Sequence, residues 1–109
     1  MYIYNVTVNV DESIHDEWLI WIQQHISEVL KTGRFTKAKL TLVLVEEEMG
    51  GATYSVQYTS KTRKDLDDYY QFDADKLRND SLKKFADKTL VFRTELKVIN
   101  EFYPTSISN

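Results

Sequence analysis

His15 and His25 are the only side chains in this sequence whose ordinary pKa lies close to neutral pH. His25 lies on the apolar side of a predicted helix beside Trp21, where a histidine could act as a general base or bind a metal. A core histidine bonded to a backbone carbonyl or a tyrosine is the simpler interpretation, and we favour it. His15 lies roughly 15 Å away along a helix axis, so the two cannot share a metal ion. We expect His15 to be a solvated residue of the first turn.

Aromatic side chains are the second feature with possible chemistry, since seven tyrosines and two tryptophans are many for 109 residues. Tyr54, on a predicted strand, and Tyr70, on a predicted helix, would face His25 and Trp21 across the interior. These four residues could line a pocket for a flat apolar ligand. An ordinary aromatic core explains the same composition, and we prefer that interpretation.

Motifs that hold cofactors or metals are absent from the sequence. There is no cysteine, no glycine-rich phosphate loop and no nucleophile elbow. We therefore predict neither a cofactor nor a metal, and whether the protein is an enzyme stays open at this stage.

One long amphipathic helix, residues 13–33, is the element that must position His25 and Trp21. Its apolar residues recur every three or four positions, as on one helix face. Ser13 with Asp16 resembles a capping box, and Gly33 suits the left-handed exit from a helix. Ile20 points away from the apolar face.

The rest of the chain alternates between strand-like and helical patterns. A second helical region, residues 62–88, opens with the capping pattern of Thr62 and Asp65 and should break between Asp73 and Ser81. Gly50 and Gly51 suit a tight hairpin. Alternating residues predict four strands, at residues 2–10, 37–46, 52–60 and 89–102.

This βαββαβ order predicts an α+β, ferredoxin-like plait: a four-stranded antiparallel sheet with both helices on one face. The first and third strands should be central. We expect a single domain over residues 1–102, followed by a flexible tail at 103–109. The apolar side of every strand should meet the helices, including Leu90, Phe92 and Leu96 of the last strand.

The opposite face of the sheet is the expected interface between two copies. Ile3, Val43 and Val45 would leave apolar surface on it, which a second copy could cover. Arg93 and Glu95 would project from the same face and could form ion pairs across the interface. The alternative is that these residues are normal strand composition in contact with water.

Net charge and hydropathy exclude two classes of partner. Seventeen acidic against fourteen basic residues give a net charge of −3, which argues against nucleic acid. The exposed faces of the central strands would carry Asn5, Thr7, Ser55 and Gln57 rather than the aromatics on which RNA-recognition domains stack bases. No apolar run is long enough to cross a membrane, and the opening residues lack signal-peptide features, so we expect a cytoplasmic protein.

The residues also carry a family resemblance. The segments YNVTVNV, W-x-x-W-x-x-x-HISEV-x-x-TG-x-F, YSVQY and FRTEL together span nearly the whole chain. They resemble a small bacterial family of unknown function with the dimeric α/β-barrel, ferredoxin-like fold. The resemblance implies that fold and a homodimer, and it implies no activity. More distantly, the architecture is similar to that of cofactor-independent antibiotic-biosynthesis monooxygenases.

Two functions remain open on this reasoning. The first is a homodimeric binding or interaction module with a well-packed interior at His25. The second is a monooxygenase-like enzyme or a carrier of an apolar aromatic ligand, which requires a cavity of at least about 300 Å³ beside His25. A regulatory domain that binds metabolites at a dimer interface ranks last, because the first strand-to-helix turn has no glycine.

Overall fold

The computed structural model describes residues 1–45 and 50–105. Glu46, Glu47 and Glu48, which the sequence predicts to be a solubilising cluster at the turn after the second strand, lie outside these residues. In chain order the regular elements are strand β1 (Tyr2–Val10), a 3-10 turn (Glu12–Ile14), helix α1 (His15–Lys31), strands β2 (Lys37–Val43) and β3 (Ala52–Ser60), helices α2 (Arg63–Phe72) and α3 (Ala74–Phe85), a second 3-10 turn (Ala86–Lys88) and strand β4 (Thr89–Lys97).

The four strands form one antiparallel sheet in the order β2-β3-β1-β4. β1 pairs with β3 from Tyr2, opposite Ser60, to Val10, opposite Ala52. On its other side β1 pairs with β4, again along its whole length. β1 and β3 are therefore central, and the ferredoxin-like α+β plait that the sequence predicts is confirmed.

The core lies between the sheet and the helices. Trp18 and Val29 of α1 are almost completely buried, as are Leu66 of α2 and Phe85 of α3. The strands contribute residues that alternate with polar ones, so one side of each central strand is apolar. Burying one large apolar side chain in this core stabilises the fold by about 1.5–3 kcal/mol. The buried strand residues are Tyr4, Val8, Val10, Tyr54, Val56 and Tyr58.

Helix α1 begins differently from the prediction. Ser13 does not cap the helix, and α1 itself has no side-chain cap. Asp11 instead caps the 3-10 turn that precedes it: its carboxylate accepts the backbone N–H of Ser13 at 2.9 Å and also contacts the Ser13 hydroxyl. The capped 3-10 turn (Glu12–Ile14) comes first, and the helix proper starts after it at His15. At the other end, Gly33 adopts the expected left-handed conformation, with φ of 78°.

The second helical region is broken at Asp73, inside the predicted interval. The backbone of Asp73 (φ −123°, ψ −35°) ends α2, and α3 starts at the next residue. Arg34 lies beside the break and donates from Nε to the Asp73 carboxylate at 3.0 Å. The predicted cap at Thr62 is confirmed, since its hydroxyl accepts the backbone N–H of Asp65 at 3.1 Å.

Strand β4 presents its two sides the opposite way round from the prediction. Residues directly opposite each other in antiparallel strands point to the same side of the sheet. Arg93 lies opposite Val6 and Glu95 opposite Tyr4, so both are on the side of the helices. Phe92 lies opposite Thr7 and is on the open face. The expectation that Arg93 and Glu95 project from the open face is therefore wrong.

The open face of the sheet is polar in the middle and apolar along β4. Asn5 and Ser55 carry polar groups there, as predicted, and the Ser55 hydroxyl donates to the Asn5 amide oxygen at 2.6 Å. Along β4, Leu90, Phe92 and Leu96 are 63%, 64% and 48% exposed. We call these three residues the β4 stripe.

At the other edge of the sheet, β2 is shorter than predicted. It ends at Val43, which lies opposite Thr53 on the open face, as expected. Val45 lies after the end of the strand and is 57% exposed. The prediction that Val45 is part of the open face of the sheet is therefore wrong.

Residues 98–105, which follow β4, have no regular secondary structure. The last strand ends at Lys97, five residues before the predicted end at Phe102, although the backbone N–H of Val98 still donates to the carbonyl of Met1 at 2.9 Å. Residues 103–105 are exposed, and residues 106–109 lie outside the described part of the chain. The flexible tail at 103–109 stays a prediction.

Candidate functional site

His25 and Trp21 lie one helical turn apart on α1 and stack on each other. Their ring centroids are 4.6 Å apart and their planes differ by 20°. In the part of the chain that the structure describes, the imidazole has no hydrogen-bond partner, so the predicted bond to a carbonyl or a tyrosine is not found. Burial lowers the pKa of His25, while the charges of Asp80 and Glu28 act in the opposite direction. The ring is therefore neutral at pH 7 and free to accept or donate a hydrogen bond.

A cleft of about 50 Å³ opens beside this pair, between the sheet and helices α1 and α3. Trp18, Ile22, Val56 and Val91 form much of its apolar floor. We call it the α1–α3 cleft. Its polar lining residues are Tyr4, His25, Tyr58, Tyr69, Arg78, Ser81 and Arg93.

Arg78 of α3 is the main polar group in the α1–α3 cleft. Its Nη2 donates to the Tyr4 hydroxyl at 3.0 Å, and its guanidinium lies 5.8 Å from the centroid of the Tyr70 ring. Its Nε is buried and has no hydrogen-bond partner among the described residues. Within those residues, Arg78 also forms no ion pair. A buried N–H without an acceptor is costly, so the hydrogen-bonding capacity of the Arg78 guanidinium is only partly satisfied.

A wider hollow of about 270 Å³ adjoins the α1–α3 cleft and shares Arg78, Ser81, Val91 and Arg93 with it. Arg93 reaches both spaces because it is on the helix side of β4. It forms no ion pair with any described residue. No aspartate or glutamate of the described chain lines either space, so the opening is positively charged in a protein of net charge −3.

Tyr54 lies away from the α1–α3 cleft and is bonded to the other histidine. Its hydroxyl is 2.6 Å from His15 Nε2, and the two rings stack with centroids 5.8 Å apart. His15 Nδ1 is 3.2 Å from the Asp16 carboxylate. His15 is therefore not the solvated first-turn residue that the sequence predicts. It joins the start of α1 to β3.

Tyr70 also lies outside the lining of the cleft. Its hydroxyl donates to Glu95 Oε2 at 2.6 Å, and Arg63 donates to Oε1 of the same carboxylate at 2.9 Å. Burial raises the pKa of Tyr70, and Glu95 adds to this shift. The Arg63 and Tyr70 hydrogen bonds hold the pKa of Glu95 below its usual range. This cluster joins α2 to β4 and serves the fold.

Of the four residues predicted for a pocket, the structure therefore brings His25 and Trp21 to one cleft and leaves Tyr54 and Tyr70 elsewhere. Sequence reasoning did not identify Arg78, Ser81 or Arg93. The spacing of Arg78 and Ser81, three residues apart on a helix, puts both on one face and was an available signal. Arg93 was not accessible to that reasoning, because its side of β4 was assigned wrongly.

The described part of the chain contains neither a cluster of metal ligands nor a helix that could span a membrane. Among residues 1–45 and 50–105, no three histidine, aspartate or glutamate side chains are grouped as metal ligands would be. In the same residues, no helix has both the length and the apolar character that are needed to cross a bilayer.

Several solved structures share this fold. A dimeric ferredoxin-like protein from an uncultured marine organism superposes with a TM-score of 0.66 at 11% identity, covering 93% of this chain and 97% of that one. SnoaB, a cofactor-independent oxygenase from Streptomyces nogalater, gives 0.64 at 7% identity, with coverage of 92% and 95%. A candidate antibiotic biosynthesis monooxygenase from Deinococcus radiodurans gives 0.63 at 9% identity, with coverage of 94% and 97%. At such identities the likeness shows the fold alone.

The chain has no match among curated proteins. Its sequence does match a family model over residues 1–99, nearly its whole length, and that model is described as a domain of unknown function, DUF4286. The match covers every strand and helix described above. The chain therefore belongs to the DUF4286 family.

Proposed function

We propose that this protein is a homodimeric binding module whose two copies pair through the open faces of their sheets. The β4 stripe carries this proposal, because three large apolar side chains exposed along one strand of a sheet surface are unfavourable in water. Ile3 and Val43 add apolar surface to the same face. The cysteine-free sequence fits the reducing conditions of a cytoplasmic location.

A second copy fits this face better than an unrelated partner does. A two-fold axis brings the same surface of both copies together, so one stripe supplies both sides of the contact. The polar middle of the face, with Asn5 and Gln57, offers hydrogen bonds, and Lys37 and Lys39 form a charged rim at the β2 edge. The dimeric state named for the marine ferredoxin-like protein supports a dimer of this chain as well.

Sedimentation velocity over a range of protein concentrations tests the dimer, with Phe92→Asp as the disruptive variant. Phe92 is 64% exposed, which leaves about 130 Å² to be covered, or about 3 kcal/mol per copy. We expect Phe92→Asp to weaken association by at least about 100-fold, since tenfold corresponds to about 1.4 kcal/mol.

Ile20→Asp is the matched control, because Ile20 is 75% exposed on the outer side of α1. It should leave association unchanged. A wild-type chain that stays monomeric at about 100 μM, or equal behaviour of the two variants, would refute pairing through this face.

A small-molecule carrier or monooxygenase-like enzyme is the second candidate, with the α1–α3 cleft as its site. The observation in its favour is that a neutral imidazole, His25, stacks on Trp21 at the wall of a cleft. The cleft volume of about 50 Å³ is well below the roughly 300 Å³ of a typical ligand site. A ligand would therefore have to extend into the adjoining hollow.

A thermal-shift screen with flat aromatic compounds tests this candidate. A ligand in the cleft should raise the melting temperature of the wild type and lose its effect in His25→Ala. A broad screen without any stabilising compound would count against it.

A further inference from the structure

The arginines that give the α1–α3 cleft its positive charge do not neutralise any carboxylate of the described chain. Arg78 and Arg93 reach the same opening from α3 and β4, and no described residue forms an ion pair with either. The other two arginines of the chain behave differently. Arg34 and Arg63 each lie within 3.0 Å of a carboxylate.

Arg78 is held in place while part of it is left without a partner. Its bond to the Tyr4 hydroxyl and its position over the Tyr70 ring fix the plane of the guanidinium. The buried Nε still has no acceptor among the described residues. A guanidinium presents N–H groups in a planar fork, and carboxylates match this fork with two parallel hydrogen bonds. An anionic oxygen at this position would satisfy the unpaired donor.

Arg93 differs from Arg78 in that it is exposed and unrestrained. Its neighbour across the strand pair is Val6, so no polar group lies beside it on β1. Its long side chain can move over the opening and close on a bound anion. Ser81, on the face of α3 that carries Arg78, adds a hydroxyl at the same opening.

The floor of the cleft defines the rest of the ligand. Trp21 and Val91 give a flat apolar wall, and Trp18, Ile22 and Val56 close the inner end. The adjoining hollow of about 270 Å³ is close to the lower limit of known ligand sites. The space suits a small planar ring with its charged group at the mouth of the cleft.

We propose that the α1–α3 cleft binds a small aromatic carboxylate, whose carboxylate pairs with Arg78 and Arg93 and whose ring packs against Trp21 and Val91. This inference deepens the second candidate function, since it requires the cleft to be a ligand site, and it is independent of the homodimer. It assigns to Arg78 the role of main anion-binding residue and to Arg93 that of a second, mobile one.

Titration calorimetry with 2-naphthoate and its neutral counterpart 2-naphthamide tests the proposal on the full chain. The carboxylate should bind at least about tenfold more tightly than the amide. Arg78→Met and Arg93→Met should each weaken 2-naphthoate binding, by about 10–100-fold for the more buried Arg78. Lys83→Met removes one positive charge from the exposed side of α3 and is the matched control.

Tryptophan fluorescence locates the ring in the same experiment. Binding should quench the emission of the wild type, and Trp21→Phe should remove most of the quenching. Arg93 is exposed, and no described residue forms a hydrogen bond or ion pair with its side chain, so Arg93→Met decides the question if Arg78→Met does not fold.

Each outcome is informative. Equal binding of 2-naphthoate and 2-naphthamide, with quenching at Trp21, would support a ligand site in the cleft and overturn the anion assignment. Absence of binding by both compounds would overturn the anion assignment and count against the second candidate function. Selective binding of 2-naphthoate that survives in both arginine variants, or falls equally in Lys83→Met, would place the anion elsewhere and overturn the proposal.

Discussion

Replacing Gly51 by alanine tests how closely the β2–β3 connection packs on the end of the central strand. Gly51 has φ of +81°, and a Cβ placed on it would lie 2.3 Å from the carbonyl oxygen of Val10 and 3.3 Å from the backbone nitrogen of Glu12. Both neighbours are backbone atoms and cannot rotate away. Gly33 has nearly the same φ, +78°, but a Cβ there has nothing within 4 Å.

The two substitutions share one cost and differ in another. A left-handed conformation costs an alanine about 1 kcal/mol, and this applies at both positions. Only Gly51→Ala adds an overlap with backbone, which displaces the connection or the end of β1 at a further cost of about 1–3 kcal/mol. We expect a loss of about 1 kcal/mol for Gly33→Ala and about 3 kcal/mol for Gly51→Ala. Near 100 residues, each kcal/mol lowers the melting temperature by about 4–8 °C.

Urea unfolding followed by circular dichroism measures both variants against the wild type. The difference between the two variants isolates the contact with Val10, because the cost of the positive φ cancels. Equal losses, within about 0.5 kcal/mol, would refute the close packing of Gly51 on β1. They would also remove the support that this packing gives to the register between Val10 and Ala52.

Two further predictions concern pH. Burial lowers the pKa of His25 below its ordinary value of 6.5, so the unfolded chain binds a proton more readily than the folded one. The contribution of the neutral His25 ring to the stability of the protein is fully present above about pH 6.5. It is lost as the pH falls through the folded pKa. His25→Phe should therefore lose less stability than the wild type between pH 7 and 5 in urea unfolding; equal losses would contradict this. The pKa of Glu95 is lowered mainly by Arg63 and then by Tyr70, so its contribution is present above about pH 4.5 and lost below the folded pKa. Glu95→Gln should lower the free energy of unfolding by about 0.5–1 kcal/mol at pH 7, and a difference that persists unchanged at pH 3 would exclude the ion pair as its cause.

Most of the fold could be predicted because local patterns and global packing agree. Alternation located β1 and β3 at the observed residues. The drift of Leu82 and Phe85 off the helical stripe predicted a break between Asp73 and Ser81, and the structure has it at Asp73. The start of α1 was wrong in detail. A 3-10 turn that Asp11 caps stands where the sequence pattern predicted a Ser13 cap, so α1 starts later, at His15.

The site was less predictable than the fold. Helical spacing brought His25 and Trp21 together correctly, because both lie on one element. Tyr54 was on the correct side of the sheet, but a side-chain direction does not say how far along the strand the helix residues reach. Tyr54 contacts His15 at the start of α1, and His25 lies further along the same helix. Contacts between elements depend on register and crossing angle, and the sequence pattern of each element contains neither.

The misassigned strand explains both proposals at once. In β4 the large apolar residues Leu90, Phe92 and Leu96 occupy even positions, while the charged residues and Val91 occupy odd ones. Register with β1 sends the even side to the open face. A burial rule applied to one protomer assigns the apolar side to the core, since it takes no account of a second copy. If the open face is buried in a dimer, β4 is apolar on the side that a partner covers. Its other side can then carry Arg93 to the α1–α3 cleft. Pairing and ligand binding would thus use opposite sides of one strand, which is why Phe92→Asp and Arg93→Met should separate the two functions.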